Sequence, residues 1–565
     1  MTPKPAHSDP VDRPFRIKEY QLVIVVLFLI SWLTNFCWMG HFGLYEDDYI
    51  WVMTLPPLNW SAADLHAHLA EIWSRWIVYQ GRPIGFSFNV LLAYAGRFFP
   101  SLVGSYVLGY VLLSFNAVLI FLLATRFAGR RFAWVVALAF IVFPADASKQ
   151  ILMHRLLHLS EFFLLIALLL YQRGHRWLSY GAAALTLLTY EALYLPFILA
   201  PVIACDRWPS LRRILGHIFL FAAIALILLR VRSSLGDDRT QLITVGLGES
   251  AGLMVQACFI GLKSVLANSL GTAVAAYTDA SVRETWLVIA AALVIGGLLY
   301  LDYRNEPAPI GIKFPRIHCA YAGLFLLGIA FTFILAFRPQ YFPPTATIGR
   351  ASGVNMAAAI PFALLVGSLF QLGQVSSGTL RRIFSTTAAV FLAGWLMHGM
   401  SIQRREYALN WEQQQKPLWR LLVQNSGSFE QGAVILVEMN SFPRTKGFDP
   451  IGFIGTKTFN AFEQLVLFPD AWKLPPRVYG YAATSPMSET PNGPMLHSPE
   501  WNKDFWPILK NDGFYAIRFR NGQFEFQSDP VTINGATFTP RLPAGAPRRL
   551  LRPGGEIVLA AGENF

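Results

Sequence analysis

The chain has 565 residues, of which 46 are Lys or Arg and 34 are Asp or Glu, giving a formal net charge of +12; 54% of its residues are hydrophobic and 14% are charged. A soluble protein of this length could not bury so much apolar surface, so this composition, with a mean hydropathy of +0.42, excludes that class and indicates a polytopic membrane protein. The basic residues stand mainly in short loops between apolar runs, so we expect a lipid bilayer and no nucleic acid as partner.

Apolar runs recur through the first two thirds of the chain, and about 20 residues at about 1.5 Å each suffice to cross a bilayer. They predict a mainly α-helical transmembrane bundle of about eleven spans. The predicted spans are 20–40, 102–125, 131–145, 157–171, 177–190, 191–205, 213–230, 284–301, 318–337, 353–374 and 383–400. Segments 84–99 and 241–276 are amphipathic or broken, which predicts interfacial or re-entrant helices.

The positions of lysine and arginine predict the orientation, because cytoplasmic loops retain positive charge. Basic residues precede the first span, which places the N-terminal tail, residues 1–19, in the cytoplasm. Alternation assigns the basic loops near 126–131, 173–176 and 381–382 to the same side. We therefore expect a multi-pass protein of the inner (plasma) membrane. Outside the cytoplasm then lie segments 41–83, 144–156, 231–283 and 338–352 and everything after about residue 401.

Residues 20–400 form the predicted transmembrane catalytic domain, and residues 401–565 a more polar extracytoplasmic domain. The predicted strands of this tail are 432–438, 513–527 and 530–540, and its predicted helices are 404–424 and 458–468. Asn521–Gly522 and Asn534–Gly535 are two-residue hairpin signals. The tail is therefore predicted to be a small α+β domain.

Three adjacent carboxylates, Glu46, Asp47 and Asp48, follow the first span in the stretch HFGLYEDDY. Repulsion between adjacent carboxylates raises the pKa of at least one of them, which suits a base that takes a proton from a hydroxyl. In an extended segment Asp47 and Asp48 point to opposite sides, so one can face a substrate while the other caps a helix or holds the loop. A solvated loop with a helix cap is the alternative interpretation.

Cations lie on the same predicted side. In YQGRPIG, Gly81 and Pro83 indicate a tight turn around Arg82, whose planar fork suits a bidentate phosphate contact. A snorkelling arginine is the alternative. Further arginines stand where positive charge is normally depleted, namely Arg230, Arg232, Arg338 and Arg350. An anionic ligand would explain them together, and interfacial anchoring would explain each one singly.

The second outer loop, FPADASKQILMHRLLH, contributes Asp146, Lys149, His154, Arg155 and His158. Helical spacing puts the last three on one face, which favours a phosphate- or sugar-binding surface over a zinc site. Glu191, in TYEALYLP, is either a structural acid or an acceptor for a sugar hydroxyl.

A carboxylate-rich loop, several arginines and one lysine thus converge on one predicted face of the bundle. A carboxylate can deprotonate an acceptor hydroxyl, and arginine can neutralise a departing lipid phosphate without itself titrating. This combination predicts glycosyl transfer from a lipid-linked sugar.

The chain resembles the GT-C glycosyltransferases, polytopic enzymes that use polyprenyl-phosphate sugars, over roughly residues 15–400. The resemblance rests on Glu46–Asp47–Asp48, the GRP turn at 81–83, the TYE motif at 189–191 and the amphipathic stretch within 55–78. It implies Asp47 or Asp48 as the catalytic base, with Asp47 slightly favoured. It also implies a polyprenyl-phosphate-sugar donor and a glycan, lipid or protein acceptor. Members of the family differ in metal use, so a divalent metal (Mg or Mn) held by Asp47 and Asp48 is left open.

Three other functions compete with this one. An acyl or phosphoethanolamine transferase would require a His-Asp pair or a Thr/Ser nucleophile within a metal cluster, and none stands out in the sequence. A transporter or flippase for lipid-linked saccharides would predict inverted repeats and helices broken near mid-membrane, whereas the sequence shows no repeat and places its acids at the surface. A non-catalytic membrane scaffold would leave the clustered acids and arginines unexplained.

Overall fold

The structure is a computed structural model that describes residues 17–45, 48, 61–75, 81–96, 102–203, 209–234, 247–278, 282–305, 322–324, 326–328, 350–374, 378–430, 432–441, 476–497 and 506–544. Its α-helices are α1 (Ile17–Asn35), α2 (Ala62–Ser74), α3 (Pro83–Gly96), α4 (Val103–Ala128), α5 (Arg130–Ile141), α6 (Arg155–Gln172), α7 (Arg176–Thr189), α8 (Ala200–Ile203), α9 (Leu211–Ser234), α10 (Leu247–Thr278), α11 (Val282–Asn305), α12 (Ala359–Gln374), α13 (Gly378–Ile402) and α14 (Lys416–Gln424). Short 3₁₀ segments at Ser148–Gln150, Leu152–His154, Glu191–Leu199 and Arg350–Ala358 lie between them.

Six helical stretches among the described residues are long and apolar enough to cross a membrane. They are Tyr20–His41, Val103–Arg126, Leu152–Gln172, Leu211–Arg232, Ser352–Gly373 and Thr379–Leu422. Each overlaps a predicted span, although Thr379–Leu422, with 44 residues, extends well beyond the predicted 383–400. This overlap supports the membrane class and the mainly helical fold. The predicted count of eleven is not confirmed, and most of the predicted span 318–337 lies outside the described residues.

Some predicted spans are too short to cross a bilayer. Helix α5 has 12 residues and α7 has 14. At 1.5 Å per residue they are about 18 and 21 Å long, against a hydrocarbon core of about 30 Å. The predicted span 191–205 is a 3₁₀ segment, Glu191–Leu199, followed by the four-residue helix α8. Helix α5 is apolar because protein surrounds it, and every residue from Phe132 to Ile141 is buried.

Helix α9 has the opposite environment. Its large apolar side chains Leu211, Phe219 and Leu226 are exposed, as expected of a helix that faces lipid. Helix α10 is one continuous helix of 32 residues, where the sequence predicted a broken or amphipathic element.

The amphipathic stretch of the first outer loop forms α2. The helix begins with a capping box, in which the Ser61 hydroxyl accepts from the Asp64 N–H at 3.2 Å and the Asp64 carboxylate accepts from the Ser61 N–H at 2.8 Å. The hydrogen bonds that Ser61 donates lower the pKa of the Asp64 carboxyl, and the bond from the backbone N–H has a larger effect than the bond from the hydroxyl. Ile72 on the buried face packs with Phe86 and Val90 of α3, so α2 lies against the bundle.

The predicted domain boundary at residue 400 falls within a continuous helical run. Helix α13 continues through two π-helical turns, Gln403–Ala408 and Trp411–Gln415, into α14. The predicted helix over 404–424 is therefore helical, although partly of the π type. Such turns occur often at functional sites, and these carry buried polar side chains into the protein.

The C-terminal region contains the predicted sheet structure. Its strands are β1 (Val434–Glu438), β2 (Arg477–Tyr481), β3 (Met487–Ser488), β4 (Met495–Leu496), β5 (Phe514–Arg520), β6 (Gln523–Phe526), β7 (Val531–Ile533) and β8 (Ala536–Phe538). The main sheet has the order β2-β1-β5-β6, with β1 parallel to both β2 and β5. One face shares a core with Leu418 and Leu422 of α14, which joins the sheet to the helical run.

Both predicted hairpins are confirmed. Asn521 and Gly522 have φ values of 52° and 83° between the antiparallel strands β5 and β6. Asn534 and Gly535 have φ values of 48° and 81° between β7 and β8. Positive φ at both central positions is what a type I′ turn requires, which is why Asn-Gly is so informative. The predicted helix 458–468 lies outside the described residues.

Candidate functional site

Hydrogen bonds between distant segments bring the predicted outer loops together. The Ala147 N–H donates to the Ser352 hydroxyl at 3.0 Å, and the Asn355 side-chain amide donates to the Ala145 carbonyl at 2.8 Å. The Tyr407 hydroxyl, from the first π-helical turn, also donates to the Ala147 carbonyl. The second predicted outer loop therefore docks on both the 350–358 segment and the helical run that leads to the sheet.

Apolar contacts join the neighbours of the candidate residues. Leu156 and Leu157, next to Arg155, share a cluster with Ala192 and Leu193, next to Glu191. Met153, whose N–H contacts Asp48, packs with the cluster between α2 and α3. The segments that carry Asp48, Arg82, Arg155 and Glu191 thus meet at one end of the bundle.

Asp48 is fully buried and holds the first loop in place. Its Oδ1 accepts from the Met153 N–H at 2.8 Å, and its Oδ2 accepts from the Tyr45 N–H at 3.1 Å. Hydrogen bonds from backbone amides to a carboxylate are charge-assisted and strong. Asp48 therefore matches the loop-holding role that the sequence allowed for one member of the acidic pair.

Arg155 is 1% exposed, and none of its three guanidinium nitrogens has a hydrogen-bond partner among the described residues. Its Cζ lies 5.1 Å from the centre of the Tyr106 ring, and its charge interacts with the carboxylate of Asp48. It also packs against Gly109, one turn further along α4, where a Cβ would lie 3.0 Å from Cζ. The guanidinium is thus held firmly in place while its hydrogen-bond donors remain unpaired within the described structure.

Arg82 and Glu191, predicted separately, form a bidentate ion pair. Arg82 Nε donates to Glu191 Oε2 at 2.9 Å and Nη2 donates to Oε1 at 2.7 Å. A second arginine, Arg232, lies with Nη1 at 3.8 Å from Oε2. The Arg82 guanidinium also lies 4.2 Å above the Tyr190 ring. Of the two arginines that the sequence predicted together, Arg230 is exposed and Arg232 is buried.

Glu191 lies outside the six candidate spans. Burial by itself would raise the pKa of its carboxyl, but the charge and hydrogen bonds of Arg82 and the charge of Arg232 hold that pKa well below its usual range. A carboxyl with a depressed pKa stabilises the folded state above its ordinary pKa and loses that contribution as the pH falls below it. The ion pairs therefore persist at neutral and weakly acidic pH.

Asp146 and Lys149 have local structural partners. Asp146 Oδ1 accepts from the Ser148 N–H at 2.8 Å and from its hydroxyl at 2.6 Å. Lys149 is buried, and its ammonium donates to the carbonyls of Ile141 at 3.0 Å and Phe143 at 3.3 Å, at the C-terminal end of α5. Burial lowers the pKa of Lys149, an effect that Asp146 and Glu161 oppose. A lysine that closes a helix end in this way gives no support to a phosphate-binding role.

His158 forms part of a buried cluster that the sequence analysis missed. Its Nδ1 lies 3.1 Å from Oε2 of Glu161, and the Asn116 side-chain amide donates to its carbonyl at 2.8 Å. Glu161 is 1% exposed. A glutamate inside the apolar span 157–171 was a visible signal, because ionisable residues at membrane depth are costly. His158 is therefore paired with a carboxylate within its own helix.

The predicted shared face of His154, Arg155 and His158 is not formed by one helix. Helix α6 begins at Arg155, and His154 precedes it in a 3₁₀ turn. There the His154 ring lies beneath Gly353, whose Cβ would come within 2.8 Å of it.

Several predicted site residues are not placed. Glu46, Asp47 and Arg338 lie outside the described residues. Arg350 is described by its backbone alone, at the start of the segment Arg350–Ala358.

Tyrosines form a second feature that sequence reasoning missed. The Tyr106 hydroxyl donates to the Gly43 carbonyl at 2.7 Å, and the Tyr45 hydroxyl donates to the Tyr407 carbonyl at 2.9 Å. The Gly43 N–H in turn donates to the Tyr45 hydroxyl at 2.9 Å. These bonds fix the chain just before the acidic motif to α4 and to the first π-helical turn.

The described residues do not supply a metal site. Among them no group of three or more His, Cys, Asp or Glu side chains could hold an ion. Asp48, one of the two predicted ligands, already accepts a backbone hydrogen bond on each oxygen. Asp47, the other predicted ligand, lies outside the described residues, so the divalent metal stays a prediction.

No protein-family model matches the chain, and no curated protein or solved structure is significantly similar to it. The functional assignment rests on the residues themselves.

Proposed function

We propose that this protein is an integral membrane glycosyltransferase of the GT-C type. It moves a sugar from a polyprenyl-phosphate-linked donor to a glycan, lipid or protein acceptor on the periplasmic or outer face. The observation that carries the proposal is Arg155, a buried guanidinium whose donors are unpaired within the described structure and which lies near Asp48.

Burying a cation without hydrogen-bond partners costs free energy, and chains that span membranes keep such residues mainly for function. A phosphate would supply the missing acceptors, because its oxygens match the guanidinium fork. The phosphate of a lipid-linked sugar is an anion that its lipid keeps in the membrane. Arg155 would hold it in the donor and stabilise its charge as the sugar departs.

The acceptor hydroxyl also needs a base. Asp48 uses both oxygens to hold the loop, which favours Asp47 as the base and leaves Glu46 as its neighbour. The resemblance also slightly favours Asp47, which lies outside the described residues. Asp47 would then take the proton from the acceptor hydroxyl as it attacks the sugar carbon and the bond to the lipid phosphate breaks.

The test uses the full-length protein in lipid nanodiscs with a panel of undecaprenyl-phosphate-linked hexoses and pentoses as donors and a cell-envelope glycan and lipid extract as the source of acceptor hydroxyls. Release of undecaprenyl phosphate is measured alongside the thermal unfolding midpoint. We expect Asp47→Asn to lower release by about 100-fold or more, since general bases contribute 10²–10⁴-fold, without lowering the midpoint. Asp48→Asn should lower both, because its amide group cannot accept two backbone hydrogen bonds in the same way.

Glu71→Gln is the matched control. Glu71 is an exposed carboxylate of α2 that pairs with Arg75 at 3.1 Å, and its loss should change neither release nor stability. Wild-type release by Asp47→Asn would rule out the assigned base.

A further inference from the structure

A small polar cavity lies where α1, α13 and the second predicted outer loop meet. Its volume is about 10 Å³. The residues that line it include Thr34 of α1, Asp146, Lys149 and Gln150 of the loop, and His398 of α13. A cavity of roughly 10–15 Å³ is just large enough for one water molecule. A ligand in this cavity can therefore have only a single heavy atom.

Four of these side chains each carry a buried polar atom that has no hydrogen-bond partner among the described residues. The atoms are Thr34 Oγ1, Asp146 Oδ2, Gln150 Oε1 and His398 Nε2. Thr34, Asp146 and Gln150 are 2%, 4% and 2% exposed. Buried polar atoms in proteins are nearly always hydrogen-bonded, and ordered water serves where no protein group is within reach. Their concentration around one cavity therefore indicates a ligand that they share.

Lys149 and Asp146 carry opposite charges at the cavity but do not bind each other directly among the described contacts. The Lys149 ammonium donates to the carbonyls of Ile141 and Phe143, which uses two of its three N–H donors. Asp146 Oδ1 accepts from Ser148, and its Oδ2 is the unpaired oxygen. The two charges nevertheless interact. This is the arrangement of an ion pair that is separated by one ligand.

The charges around the cavity also decide which ligand fits. The Asp146 carboxylate would repel an anion, and the Lys149 ammonium would repel a cation. A neutral water molecule can donate to Asp146 Oδ2 and to Gln150 Oε1. It can accept from the third N–H of Lys149 and from the Thr34 hydroxyl. Buried waters typically make about three hydrogen bonds, so these groups suffice to hold one.

We propose that this cavity binds one water molecule, which bridges Lys149 to Asp146 and joins the second outer loop to α1. The bridge reaches α1 through Thr34. The methyl group of Thr34 packs against Gly399 of α13, where a Cβ would lie 2.6 Å from Cγ2, so the side chain has little freedom to turn. The water thus fixes the loop that leads into Arg155, and it does so whichever reaction the protein catalyses.

The first test compares the unfolding midpoints of full-length wild type and Thr34→Val in lipid nanodiscs. Valine keeps the shape of threonine and the contact with Gly399 but removes the hydroxyl. A buried hydroxyl without a partner destabilises the folded state, so its removal would raise the midpoint. A hydroxyl that binds the proposed water stabilises the folded state, so we expect Thr34→Val to lower the midpoint by a few degrees.

Ser31→Ala is the matched control. Ser31 also lies on α1, is fully buried and has an unpaired hydroxyl, but it does not line the cavity. Its replacement should leave the midpoint unchanged or raise it. A midpoint of Thr34→Val at or above that of wild type, or equal shifts in the two variants, would overturn the proposal.

A double-mutant cycle tests whether Thr34 and Gln150 share the ligand. Gln150→Met removes Oε1 and also the bond from Nε2 to the Asn35 carbonyl, but the second loss occurs in both Thr34 backgrounds and cancels. Because one water can be lost only once, the double variant should lose less stability than the two single variants together. Additive losses would contradict a shared water.

The second test requires no substitution. A cryo-EM map of the wild-type protein in nanodiscs, at a resolution that shows ordered water, should contain one peak within hydrogen-bond distance of Asp146 Oδ2 and Lys149 Nζ. Well-resolved side chains around the cavity without such a peak would overturn the proposal, as would a direct contact between Asp146 and Lys149. Neither test involves sugar transfer, so the outcome is independent of the proposed function.

Discussion

The Arg155 guanidinium is 1% exposed, and its donors are unpaired within the described structure. Its burial therefore lowers the stability of the folded state. Taking one charge out of water without hydrogen-bond partners costs several kcal/mol, that is, about 2 kcal/mol or more. If Arg155 served the fold alone, there would be little reason to retain it. At the scale of single residues, its retention therefore argues for a ligand.

Arg155→Met should change the unfolding midpoint little, because methionine fills the volume and removes the cost of burying the guanidinium, while Asp48 keeps its two backbone hydrogen bonds. The same variant should bind undecaprenyl phosphate at least about tenfold more weakly, a loss of about 1.4 kcal/mol. The measurement is the shift in midpoint that the lipid produces in each protein. Arg155→Lys keeps the charge and loses the planar fork, so it should give an intermediate shift. A strongly destabilised Arg155→Met that still responds to the lipid would mean that the arginine is structural.

Sequence reasoning identifies residues of this kind but not their pairing. Arg82 and Glu191 each stand out as polar residues near apolar runs, yet 109 residues separate them and nothing local indicates that they bind each other. The position of Lys149 in a loop predicts an exposed side chain, whereas its ammonium is buried and donates to carbonyls at the end of α5. Contacts made through folding decide both cases.

Helix α4 is shaped to receive Arg155. Gly109 leaves the space that the guanidinium fills, since a Cβ there would lie 3.0 Å from Cζ and closer to Nε. In an unconstrained helix, Gly→Ala is favourable by roughly 0.5–1 kcal/mol. Gly181 of α7 is such a position, because a Cβ added there would meet no described atom within 4 Å.

We expect Gly181→Ala to raise the unfolding midpoint and Gly109→Ala to lower it, because the added methyl group forces Arg155 to move. Gly109→Ala should also weaken the response to undecaprenyl phosphate, while Gly181→Ala should not. Thermal unfolding with and without the lipid measures both effects. The idea fails if the two glycine variants behave alike.

Elements differ in how far their sequence determines them. The Asn-Gly hairpins are set by backbone φ at two adjacent residues, so a short stretch of sequence is enough. The capping box of α2 is similarly local. Local sequence does not decide whether an apolar helix crosses the bilayer. Helix α5 is apolar, yet its residues from Phe132 to Ile141 are buried within the protein. Apolar residues are favoured both where protein surrounds a helix and where lipid surrounds it, so composition does not distinguish the two.

At the scale of the whole molecule, the proposal needs the acidic loop and the C-terminal sheet on the same, external side. The sequence predicts this from the placement of lysine and arginine, and the structure contributes a continuous connection from the outer loops to the sheet through Tyr407 and α14. Sidedness is therefore the property on which the external reaction depends.

Single cysteines test it in a background with the four native cysteines replaced by serine. Gln523→Cys lies at the exposed hairpin of the sheet, and His175→Cys lies in the exposed loop between α6 and α7. In spheroplasts of a bacterial host, a membrane-impermeant maleimide should label Gln523→Cys, and it should label His175→Cys after lysis alone. Both positions are exposed, so a difference in labelling reports the side of the membrane and not burial. The reverse pattern would place Asp47 in the cytoplasm, where the base could not act on an acceptor at the outer face.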